Sequence, residues 1–174
     1  MAGIEKRIAE KKKEILAAWF DRMTEIYQAQ TRSFLNNRGD RFANPVAGIA
    51  SESLEKTLDG LLEGAGAETL SRYMDPLIRV RAVQSFSPSS SIAFVFSLKT
   101  IIRDVLGSGH AEETAELALM DRRIDGLALI CFDKFMECRE KIYELKACEV
   151  RNRTFRAFER AGLIVDPEKA EPLA

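Results

Sequence analysis

Apolar residues at Ile4, Ile8, Ile15, Trp19, Met23 and Ile26 recur at helical separations, with Lys and Glu between them. This spacing predicts one amphipathic helix over residues 3–30. After a polar stretch with a Gly-Asp pair, Asn44-Pro45 supplies an N-cap and a proline at the first helical position, so a second helix is expected to about Glu63. Its inner face carries Val46, Ile49, Leu54, Leu58, Leu61 and Leu62, and Gly64-Ala65-Gly66 closes it. Residues 67–84 keep the helical spacing. Pro76 lacks an N–H and disfavours helix at Asp75, which predicts two short helices or one kinked one.

Ser87-Pro88 repeats the cap-plus-proline device and opens a helix to about Leu106. Ile92, Phe94, Val95, Phe96, Leu98, Ile101, Ile102, Val105 and Leu106 surround nearly its whole circumference, so it is expected to be the central helix. Gly107-Ser108-Gly109 breaks the chain, and one periodic pattern then runs from about Glu112 to about Ala161. From Asp121 onward it would be about 60 Å long, more than a small domain is wide, so part of it is expected to protrude. Ile124, Ala128, Cys131, Phe135, Cys138, Ile142 and Leu145 alternate four and three apart, the seam of a coiled coil or close helix pair. The next seam positions are Glu149 and Asn152, and Arg151, Arg153, Arg156 and Arg160 follow with only Phe155 and Phe158 to bury. The expected organisation is a helical body over 1–148 and a helical arm with a frayed tail over 149–174. No segment has the strand period.

Composition narrows the function. Hydrophobic residues make up 46% of the 174 and charged residues 30%, which is globular usage. Twenty-six basic against twenty-seven acidic side chains leave a net charge of −1, so there is no cationic excess for a phosphate backbone, and nucleic acid is not expected as a partner. Three cysteines and a charged N-terminal stretch point to reduced thiols and a cytoplasmic location. The longest apolar run, Ile92 to Leu98, is far short of the roughly 20 residues that span a bilayer. A membrane surface has only the terminal arginines to recommend it.

Three stretches are read together: Phe42 to Gly48 (FANPVAG), Ile78 to Phe96 (IRVRAVQSFSPSSSIAFVF) and Asp133 to Leu145 (DKFMECREKIYEL). In this order and spacing the chain resembles the N-terminal sensor domain of RsbT co-antagonist proteins of the RsbRD type, from about Leu16 to Glu149. The resemblance implies an all-α, globin-like, dimeric domain without catalysis, which signals through its C-terminal helix to an output domain. No residues remain after the long helix for the STAS output domain of the full-length regulators, so a stand-alone sensor module is expected.

Reactive groups are few. His110, the single histidine, follows a Gly-Ser-Gly break, with no partner placed to make it a base or a haem ligand. Cys131, Cys138 and Cys148 form no C-x-x-C pair, so neither a metal site nor a cofactor is expected. The chain reads as a non-enzyme. Lys99 and Arg103 either line a solvated stripe or pair with carboxylates; alternatively, Lys99 with Arg79 or Arg81 would hold an anionic headgroup over Phe86, Phe94 and Phe96. Trp19, Cys131, Phe135, Cys138, Ile142 and Leu145 are candidates for a homodimer seam. Arg151, Phe155, Arg156 and Phe158 are candidates for docking an unknown protein partner. The competing function is a binding protein for an apolar or amphipathic small molecule, a fatty acid or haem.

Overall fold

The computed structural model describes residues 3–36, 44–107 and 113–163. Among these residues there is no strand, and seven helices follow in order: α1 (Gly3–Glu10), α2 (Lys12–Thr24), α3 (Ala29–Asn36), α4 (Pro45–Glu63), α5 (Ala67–Ala82), α6 (Pro88–Leu106) and α7 (Glu113–Arg160). The fold is all-α, with a long C-terminal helix.

The one helix expected over 3–30 is divided. Lys11 alone separates α1 from α2; its N–H is shared between the Arg7 and Ile8 carbonyls, each at 3.1 Å, a three-centre bond typical of helix ends. α2 stops at Thr24, whose hydroxyl donates back to the Asp21 carbonyl at 2.9 Å. The Met23 carbonyl accepts instead from Arg81, at 3.2 Å. Periodicity is blind to such breaks, because Ile4, Ile8, Ile15, Trp19 and Met23 all stay in phase and all are buried.

α5 is a single helix through Pro76. An internal proline costs a helix about 3 kcal/mol. Leu70, Met74, Leu77 and Ile78 are buried along the same helix, each stabilising by roughly 1.5–3 kcal/mol, and this packing decides the outcome.

The caps lie where the sequence places them. The Asn44 side chain accepts from Ala47 N at 3.1 Å, and its Nδ2 donates to the Phe34 carbonyl at 2.7 Å, tying the end of α3 to the start of α4. Gly64 closes α4 in the left-handed region (φ 69°), and the Ala65 N–H reaches back to the Gly60 carbonyl at 2.8 Å. Ser87 Oγ accepts from Ser90 N at 3.2 Å.

The chain divides into two compact units, one ending at Cys138 and one beginning at Arg139. The first is built around Trp19, Phe20, Leu54, Leu58, Leu61, Met74, Leu77, Val95, Leu98 and Ile102. α7 adds Met120, Ile124, Leu127, Ala128, Cys131 and Phe135 to this core. α1 is fastened to α7: the Ile4 N–H donates to Glu116 at 2.8 Å, and Arg123 bridges Glu5 at 3.0 Å and the Leu61 carbonyl at 2.9 Å. α6 buries Ser91, Ile92, Phe94, Val95, Leu98, Ile101 and Ile102, whereas Phe96 is 48% exposed and Ala93 and Thr100 are open. It is therefore covered on its inner side only, not around its circumference. In the second unit every described residue from Tyr143 onward is exposed, and Gly162 (φ 69°) ends the helical backbone with a Leu163 N–H to Phe158 bond of 3.0 Å. No helix among the described residues is long and apolar enough to cross a membrane.

Candidate functional site

Of the six residues proposed to surround an anionic headgroup, the fold brings three together. Arg81, on the last turn of α5, is 1% exposed. Its Nε donates to the Ser91 carbonyl at 2.8 Å, Nη1 to Met23 at 3.2 Å and Nη2 to Ser90 at 3.4 Å. One guanidinium thus joins the C-terminus of α2 to the first turn of α6. Its carbon lies 4.9 Å from the Phe94 ring centre and 5.9 Å from that of Tyr27, and Tyr27 meets Phe86 edge-on at 5.4 Å. Burial pushes the Arg81 pKa down, and Tyr27 acts weakly in the other direction. Among the described residues the hydrogen-bond partners of Arg81 are carbonyl oxygens, and no carboxylate pairs with it.

The other three point elsewhere. Arg79 pairs with Asp75 at 2.6 Å on the exposed side of α5, and this hydrogen bond raises its pKa. Lys99 bonds Asp125 on α7 at 2.6 Å, with its ammonium 6.0 Å from the exposed Phe96 ring. Arg103 pairs with Asp121 one turn along. Lys99 and Arg103 are therefore rungs between α6 and α7, the paired alternative of the sequence reading. They are remote from Arg81 because the 99–125 and 103–121 pairings lie on the side of α6 away from α2.

A groove opens beside Arg81. Its volume is about 490 Å³, within the range of small-molecule sites. Ser90, Ala93, Phe94, Ser97, Thr100, Ile101 and Asp104 form one wall, a single face of α6 about 21 Å long at 1.5 Å per residue. Arg22, Glu25 and Ile26 form the facing edge. Arg22 and Glu25 are paired at 3.2 Å. Trp19 lies behind this wall, fully buried, its Nε1 donating 2.8 Å to the Phe94 carbonyl. Tyr27 and the small polar stripe of Ser90, Ser97 and Thr100 went unnoticed in the sequence. The stripe's seven-and-three spacing on an otherwise apolar helix was the available signal.

The seam candidates separate by burial. Trp19, Cys131 and Phe135 are 0% exposed inside the first unit, so they have no surface left to offer a second copy. The 4-3 register that suggested an interface is spent on the protomer's own core. Cys138 is half-buried, Ile142 is half-exposed and Leu145 is 61% exposed. Burial pushes the Cys131 thiol up to about 12, and it raises Cys138 as well, with Arg79 opposing. Leu129 and Phe132, 67% and 45% exposed, are apolar surface that the seam pattern passed over. Of the arm candidates, Phe155 and Phe158 are 52% and 45% exposed, and Arg151 and Arg156 are exposed. His110 lies outside the described residues. Among the described residues no group of three or more His, Cys, Asp or Glu could hold a metal ion.

Comparison with known proteins adds two findings. The family model described as RsbT co-antagonist protein RsbRD N-terminal domain matches residues 13–149. An uncharacterized protein of Archaeoglobus fulgidus is 28% identical over 142 residues, 79% of this chain and 83% of its own. No solved structure matches.

Proposed function

The chain belongs to the family of RsbT co-antagonist RsbRD N-terminal domains, regulatory modules of stress signalling, and on that premise we propose that it acts without catalysis, as a cytoplasmic sensor that dimerises and passes a signal along α7 to a protein partner. The observation that supports this reading is the second unit. Tyr143, Leu145, Val150, Phe155 and Phe158 are 45–61% exposed on a helix that buries none of them. Most helix stability in proteins comes from packing an apolar face, and this stretch packs none, so a partner that covers those residues supplies the missing stabilisation. Lys146, Arg151, Arg153, Arg156 and Arg160 against Glu144, Glu149 and Glu159 leave this stretch basic, which suits a partner with acidic flanks. The globin-like arrangement implied by the family resemblance is part of the same proposal.

A signal must favour one packing over another to be transmitted. Arg81 provides a joint suited to this, because it holds the ends of α2 and α6 to α5 through carbonyl oxygens alone. The dimer is tested at Ile142, half-exposed and flanked by Leu145. Ile142→Asp is expected to convert a dimer to a monomer in multi-angle light scattering, with helix content retained. An unchanged mass would remove α7 as the interface.

A further inference from the structure

We propose that the groove along α6 is a binding site for an amphipathic monocarboxylate, with Arg81 holding the carboxylate and the α6 wall holding the aliphatic chain. A guanidinium has five N–H donors. Three are bonded to carbonyls, which leaves one hydrogen on Nη1 and one on Nη2 without an acceptor. A cation 1% exposed and lacking a carboxylate partner among the described residues is costly to bury, and an incoming anion relieves that cost. The spare hydrogen on each terminal nitrogen is a charge-assisted donor for a carboxylate oxygen.

The rest of the groove fixes the ligand class. Ile26, Ala93, Phe94 and Ile101 give apolar wall, and the length of the α6 face suits an extended chain better than a compact head. Glu25 and Asp104 also border the groove. A doubly charged phosphate would meet two carboxylates at the rim, whereas a singly charged head reaching Arg81 adds the least repulsion. The site requires neither a dimer nor a docked partner, so it stands apart from the test at Ile142.

Trp19 supplies the readout. It is the only tryptophan, and it is bonded to the carbonyl of Phe94, a residue of the groove wall. The experiment titrates the intact protein with decanoate, below its micelle concentration, and with decanol as the uncharged match. Intrinsic fluorescence and calorimetry are followed together. Decanoate is expected to saturate with an affinity at least tenfold above that of decanol. Arg81→Met, which fills the same space without charge, is expected to erase that preference while circular dichroism stays helical. Ala93→Phe narrows the groove from an exposed position and is expected to weaken decanoate at least tenfold, so the proposal remains testable if the Arg81 variant fails to fold. Equal binding of decanoate and decanol, no saturable signal from either, or full decanoate affinity in Ala93→Phe would each overturn it.

Discussion

Cys131 tests the packing of α7 through pH. Its thiol is 0% exposed, and burial alone raises its pKa from 9.0 to about 12. A raised native pKa means that the folded state holds the proton more tightly than the unfolded chain. The stabilisation is fully present below the unfolded value and is lost as pH rises through the window between the two. Across that window the slope is about 1.4 kcal/mol per pH unit for one group. Between neutral pH and about pH 10.5 the thiol therefore removes about 2 kcal/mol of stability. Cys138 is also raised by burial and shares the wild-type slope in this window, whereas the raised Lys12, Lys56 and Lys134 add to it only above about pH 10.5. The Cys131→Ala variant isolates the thiol: its urea midpoint starts lower at neutral pH, because a buried sulfur is missing, and then falls less steeply. Urea denaturation followed by circular dichroism at several pH values gives both curves. Parallel curves for wild type and variant would refute the reasoning, since they would mean that Cys131 ionises freely and that this face of α7 is open to water.

Two further substitutions probe the joints of the first unit. Asn44→Ala removes the α4 cap and leaves the Phe34 carbonyl without its donor, for an expected loss of about 2–3 kcal/mol; Asn44→Asp keeps the cap oxygen but sets a buried carboxylate oxygen against that carbonyl and is expected to lose at least as much, both read from urea midpoints. Trp19→Phe is expected to cost about 1–3 kcal/mol in the same assay, the lower end reflecting that the Phe94 carbonyl keeps its 2.6 Å bond from Ser97.

The helices of the first unit were readable because their ends are written locally. Asn44-Pro45, Ser87-Pro88 and Gly64 each act within a few residues, and each sits at a helix end in the structure. The breaks at Lys11 and Thr24 were not readable. The second depends on Arg81, a residue 58 positions away that captures the Met23 carbonyl. Pro76 misled in the opposite direction, since its local penalty was overcome by side chains of α5 buried along its length. For the candidate site, the sequence grouped Arg81, Phe86 and Phe94 with Arg79, Phe96 and Lys99; the fold brings the first three together, while the others lie near them in sequence and face other neighbours. The 4-3 register of α7 carried a related ambiguity. A helix covered by its own chain and a helix covered by a second copy show the same apolar period, and only burial at Cys131 and Phe135 separates them.

The family match begins at residue 13, yet α1 lies before it. Ile4 and Ile8 are 1% and 0% exposed, and Glu5 is the carboxylate that holds Arg123. A recombinant fragment cut at the family boundary would open a trough lined by former neighbours of those two isoleucines, and it would leave the Arg123 guanidinium with the Leu61 carbonyl but without its carboxylate. The minimal piece that folds as the parent does therefore starts at the first helix, several residues ahead of the stretch that sequence kinship alone would select.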